Sequence, residues 1–149
     1  MNKNCLVCDR IKMIKNGDNP FFIREMETGF VVIGDHQTYQ GYTVFLCKKH
    51  CSELHHLDTN YRNKFLSEMA IVAEAVFKAF NPDKLNYELL GNTDNHMHWH
   101  LFPRRKTDQK AHTAIWAVEK SQRSNIPTKK EFEELKSKLS IELDKLLEN

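Results

Sequence analysis

Residues 96–101 read His-Met-His-Trp-His-Leu, a strict alternation of imidazole and large apolar side chains. A period of two belongs to an extended strand, whose successive side chains stand on opposite faces, and not to a helix of 3.6 residues per turn. His96, His98 and His100 therefore share one face, while Met97, Trp99 and Leu101 share the other and point into a core. A chain with this segment needs a sheet with an apolar layer packed behind it.

The flanking patterns supply that layer. From Asp58 to Phe80, Phe65, Met69, Val72, Val76 and Phe80 recur at three- and four-residue steps, and Leu66, Ala73 and Phe77 widen the stripe. Asp58 suits an N-cap, and Asn81-Pro82 stops the helix. A second helix is expected over 128–147, where Thr128 and Glu131 have capping-box spacing and Phe132, Leu135, Leu139, Leu143 and Leu146 form one edge. Strands are expected at Phe21–Glu25, Phe30–Ile33, Tyr42–Cys47, Asn86–Leu90 and Met97–Phe102, with Pro103 ending the last. Glu27-Thr28-Gly29 reads as a hairpin turn, and Ala114–Val118 as a short strand. The first ten residues read as a tight Cys-x-x-Cys turn. The expected fold is α+β: a mainly antiparallel sheet of about five strands, one long central helix and a C-terminal helix, in a single domain over residues 1–149.

Composition narrows the function. With 22 basic and 20 acidic side chains the net charge is +2, too balanced for a protein that coats nucleic acid. No stretch reaches the roughly 20 apolar residues that span a bilayer, and the first residues lack a signal peptide's apolar region. A cytoplasmic protein is expected, without nucleic-acid or membrane partners. Cys5, Cys8, Cys47 and Cys51 are then better read as metal ligands or redox groups than as disulfides.

A lone histidine is by default packing or surface, which is how we read His36, His55, His56 and His112. Three in alternation are different, because stacked imidazoles gain little stability and repel when protonated. Two chemistries use such a row: metal coordination, and nucleophilic attack on phosphorus, with neighbouring imidazoles binding phosphate oxygens and protonating a leaving group. A catalytic zinc on all three is geometrically poor, since each pair of residues advances about 6.6 Å along a strand. Cys5-x-x-Cys8 with Cys47-Lys-Lys-His50-Cys51 is a second potential metal site, either four cysteines or two cysteines with histidines.

His96-Met-His98-Trp-His100-Leu-Phe, followed by Pro103-Arg104, resembles the signature of the histidine-triad family. The stretch Gly41-Tyr-Thr-Val-Phe-Leu-Cys-Lys-Lys-His50 is similar to that family's strand ending in a basic pair and histidine, and the resemblance covers most of residues 1–104. It implies a nucleotide hydrolase or transferase in which His98 is the nucleophile and His100 contacts phosphate. By the same resemblance Asp35 holds the ribose hydroxyls, and Asn92 contacts phosphate, with Thr93 and Asn95 close behind. It also implies a structural zinc held by Cys5, Cys8, His50 and His96, with Cys47 and Cys51 as ordinary thiols. The implied substrates are dinucleoside polyphosphates such as diadenosine tetraphosphate, or nucleoside phosphoramidates, with adenine as the expected base. A homodimer formed by extending the sheet is implied as well. The rivals are a zinc-dependent hydrolase using the histidine row as metal ligands and a non-catalytic nucleotide-binding module. The lead reading requires that the His98 ring be unmetallated and presented to a phosphorus atom.

Overall fold

The computed structural model describes residues 5–148; the domain limits and the N-terminal reading that involve residues 1–4 and 149 extend outside them. In chain order the elements are α1 (Leu6–Asn16), β1 (Phe22–Glu25), β2 (Gly29–Ile33), β3 (Thr43–Cys47), α2 (Thr59–Phe80), β4 (Lys84–Glu88), β5 (His98–Arg104) and α3 (Lys129–Leu147). The sheet has five strands in the order β1-β2-β3-β5-β4, antiparallel throughout. This is the expected α+β fold.

Every residue of β2 and β3 is buried, as continuous apolar runs require when a sheet is covered on both faces. Alternation sorts the two coverings. Val31, Ile33, Phe45, Met97 and Leu101 pack with Phe65, Val72 and Val76 of α2 and Leu139 and Leu143 of α3. Phe30, Val32, Val44, Leu46 and Phe102 pack on the opposite side with Val7, Cys8 and Ile11 of α1, Tyr42 and Ile115. The face that carries the histidines is thus itself roofed.

Local chemistry sets the boundaries. Asp58 accepts the Tyr61 N–H at 2.9 Å and caps α2, and Thr128 and Glu131 form the expected capping box of α3. The N-terminal turn is corrected to a helix: Cys5 caps α1 by accepting the Cys8 N–H, and Gly17 ends it at φ 80°. Its exposed Leu6 and Met13 blur the apolar stripe, which hides the helix in the sequence. β5 runs through Pro103 because its pairing with β3 ends at Leu101, leaving Pro103 with β4 as its only neighbour. The short strand expected at Ala114–Val118 is a 3₁₀ turn, Ile115–Ala117, which seats Ile115 under the sheet.

Two buried charged side chains hold the connections. Glu68, 3 % exposed on α2, accepts the Glu27 N–H at 3.0 Å, the Thr28 N–H at 2.9 Å and the Thr28 hydroxyl, so it ties down the β1–β2 turn. Arg104, 3 % exposed, donates to Asn86, Asp108 and the carbonyls of Lys110 and Thr113, and fixes the segment after β5. Replacing Glu68 by Ala orphans two turn N–H groups, and we expect a loss of about 3 kcal/mol in stability; Glu68→Gln, which keeps an acceptor, should lose less. Urea unfolding checks this, and an unchanged midpoint in Glu68→Ala would contradict the assigned role.

Candidate active site and metal cluster

The spacing Cys5-x-x-Cys8 spans the cap and first turn of α1, so both sulfurs face the end of β3 and the start of β5. There the ligand atoms of Cys5, Cys8, His50 and His96 all lie within 4.8 Å of one another. The Cys8 sulfur is 3.3 Å from His50 Nδ1 and 3.5 Å from His96 Nδ1; Cys5 Sγ lies 3.5 Å from His96 Nδ1, and the two Nδ1 atoms are 3.2 Å apart. A tetrahedron built with zinc bond lengths has S···N edges of about 3.6 Å and an N···N edge of about 3.3 Å. The donor set therefore fits a four-coordinate zinc. His96 Nε2–H donates to the Cys47 carbonyl at 2.8 Å, which leaves Nδ1 as the ligating nitrogen. Burial lowers the His96 pKa, favouring the neutral ring a ligand needs. Burial, then the neighbouring Cys5, pushes the Cys8 thiol up to about 11, a cost that a bound cation would offset. Cys47 and Cys51 stand outside the cluster, and all four cysteines are free.

Two residues further along the chain, His98 takes no part in the cluster. Its Nδ1–H donates to the His96 carbonyl, so the lone pair resides on Nε2. Its ring meets that of His100 edge-on, with centroids 4.7 Å apart. Tyr42 Oη lies 2.6 Å from His100 Nδ1, and burial pushes the phenol pKa up and keeps it protonated, so the hydroxyl has a proton to donate to that nitrogen. The His100 Nε2 is then the N–H that can reach a ligand. Burial, reinforced by His98, lowers the His100 pKa to about 3, so this ring is neutral. Tyr42 fits because Gly34 has no side chain: a Cβ there would land inside the Tyr42 ring.

The expectation of an openly presented His98 needs correction. The ring is unmetallated by geometry but only 8 % exposed, since α1 and the segment after β5 cover that face. The adjacent cavity, about 650 Å³, is walled by Phe21, Asp35, His36, Trp116, Arg123 and Phe132 among others. It reaches the imidazoles indirectly, through Trp116 against His100 (centroids 5.9 Å) and His36 against Tyr42 (5.0 Å). Asp35 lines this cavity and is paired with Arg10 at 2.6 Å. Asn92 is exposed in the bend before β5, and among the described residues no hydrogen bond or ring contact joins it to either imidazole.

Tyr42, Trp116, Lys120 and Arg123 also stand at the site or its cavity, as does His36, which by default reads as packing or surface. Tyr42 was legible in principle, because it shares parity with Val44, which pairs with His100. His36 carries a buried Nδ1 without a partner among the described residues, which packing alone does not explain. Trp116 is 45 % exposed at the cavity rim.

The HIT domain profile matches residues 19–107, more than half of the chain. The chain belongs to the HIT, or histidine-triad, family. No curated protein matches its sequence. Among solved structures it resembles a histidine triad protein from Bradyrhizobium japonicum (21 % identity, 82 % of this chain and 89 % of that one, TM-score 0.75). A zinc-bound histidine triad family protein from Mycobacterium smegmatis is similar over 97 % of this chain and 96 % of its own, at 22 % identity and TM-score 0.70. Plasmodium falciparum diadenosine triphosphate hydrolase, solved with Cyclomarin A, aligns over 89 % and 80 % at 13 % identity and TM-score 0.61. The family includes nucleotide hydrolases.

The state of His100 is directly measurable. The unfolded ring takes its proton near 6.5 and the folded one near 3, so the unfolded chain binds more protons in between. Stability from this ring is complete above pH 6.5 and declines as pH falls toward 3. Imidazole ¹⁵N resonances should show His100 still neutral at pH 4.5; a midpoint near 6.5 would refute the burial argument.

Proposed function

We propose that this chain hydrolyses a phosphoanhydride or phosphoramidate bond of a nucleotide through a covalent nucleotidyl-His98 intermediate. The observation that carries the reading is the commitment of His98 Nδ1 to the His96 carbonyl, which aims the Nε2 lone pair away from the backbone. Nε2 attacks the α-phosphorus, and the bond to the leaving group breaks as that group departs with the bonding pair and takes a proton from water. Water then cleaves the P–N bond, releasing the nucleoside monophosphate and restoring His98. The neutral His100 donates Nε2–H to a non-bridging oxygen, where charge builds in the transition state. Because His98 is shielded, phosphate approaches from the His100 side, where Trp116 of the cavity wall meets the His100 ring.

In this reading Asp35 accepts the ribose hydroxyls from the cavity wall, and Asn92 swings onto a phosphate oxygen when substrate binds. Cys5, Cys8, His50 and His96 would hold a structural zinc, their four donors filling a tetrahedral shell. When bound, the ion supplies positive charge to two buried thiolates and ties α1 to β5. His98 and His100 remain outside this cluster, which disfavours the rival with zinc on the histidine row. The free thiols suit a reducing, cytoplasmic setting. No helix among the described residues is long and apolar enough to cross a membrane. A homodimer would use the open edge of β4, where Tyr87 is 48 % exposed, because the pairing of the other edge strand, β1, is bulged.

Diadenosine tri- and tetraphosphate and an adenosine phosphoramidate, tested as a panel, should be hydrolysed, and His98→Ala should lose at least about a thousandfold in kcat. Equal rates in wild type and His98→Ala would end the proposal. Metal analysis should find one zinc per chain, lost in Cys8→Ser together with a lower unfolding temperature. Chelation should leave the rate of still-folded protein intact. Loss of rate in step with metal and ahead of unfolding would favour a catalytic zinc.

A further inference from the structure

The cavity beside His100 combines an apolar enclosure with an unusual polar edge. Phe21 and Phe132 meet edge-on at 5.3 Å, and with Trp116 and Ile126 they make walls suited to a flat heteroaromatic ring. Ile126 is 73 % exposed and Trp116 45 %, apolar surface that a ligand would cover. Into this enclosure the 3₁₀ turn Lys120–Arg123 brings two cationic side chains. The Arg123 guanidinium lies over the Trp116 ring at 4.9 Å, and its Nε–H donates to the Val118 carbonyl at 2.8 Å. Those contacts fix its plane and leave the two terminal nitrogens as a donor fork. Lys120 has no hydrogen bond or ion pair among the described residues.

Arginine and lysine donate and never accept, so the ligand edge that meets them must offer acceptors. A purine with oxygen at position 6 presents two, O6 and N7, in the geometry a guanidinium fork matches; adenine presents N7 beside an amino donor that the cations oppose. We infer that the base held in this cavity is a 6-oxopurine, selected by Arg123 with Lys120, and not the adenine that resemblance alone would suggest. The inference rests on the nucleotide reading above and deepens it.

Inosine and adenosine 5′-monophosphates differ in the position-6 edge, which makes them clean probes. Calorimetric titration of the full chain should find inosine monophosphate bound about tenfold more tightly than the adenosine compound. Arg123→Gln should bring that ratio to about one. Arg123→Lys, which keeps the charge without the fork, should lose most of it, and circular dichroism verifies that both variants fold. Equal affinities, a preference for the adenosine compound, or an equal loss for both ligands in Arg123→Gln would overturn the inference; the last would assign the cations to a phosphate. If the chain hydrolyses inosine and adenosine phosphoramidates equally well in a His98-dependent way, the base selection falls and the nucleotide reading stands. If neither monophosphate binds and neither phosphoramidate is hydrolysed, both fall together.

Discussion

His96 is held in three directions at once, and the rest of the site follows from that. Its Nε2–H is committed to the Cys47 carbonyl at the end of β3, its Nδ1 sits among the donors of the metal cluster, and its own carbonyl accepts from His98. A rotation of this one residue would disturb the tautomer of His98, because the acceptor that selects it would move. The ring nitrogens of His96 and His98 thus have opposite assignments on adjacent same-face positions: one presents Nδ1, the other Nε2. Sequence spacing alone does not distinguish them.

The neutral state of His96 and His100 is a matter of burial more than of mutual repulsion. Desolvation is the leading cause of the lowered pKa at both His96 and His100, with neighbouring imidazoles adding to it. Tyr42 completes the arrangement by supplying a proton to His100 Nδ1 that it does not readily release. Its position depends on the missing side chain at Gly34, so a backbone feature of the loop after β2 sets the donor on β5.

The parts of the fold that were legible in the sequence are those with a clean period or a cap. The alternation through His100, the stripe of α2 and the capping box of Thr128 and Glu131 each reduce to local chemistry, and they stand as read. The helix α1 was hidden because Leu6 and Met13 face water while Cys5 serves as its cap, an uncommon choice. Pro103 misled because its effect depends on whether a neighbour strand is present, a tertiary fact. Of the site, the histidines and cysteines could be read from spacing and resemblance. The cavity could not, since Phe21, Asp35, Trp116 and Arg123 are distant in sequence and meet only through packing.

Arg104 bonds to four groups from the very end of the strand that carries His98 and His100. It anchors the root of a loop whose tip builds one wall of the cavity. The strand with the histidines and the cavity wall are thereby joined at Arg104, with further ties from Asn125 to Gln37 and from Trp116 to Glu88, yet they are encoded in separate stretches of chain. A loop of different sequence on the same root would change the cavity wall and, through Ile115 and Trp116, the cover over the imidazoles as well.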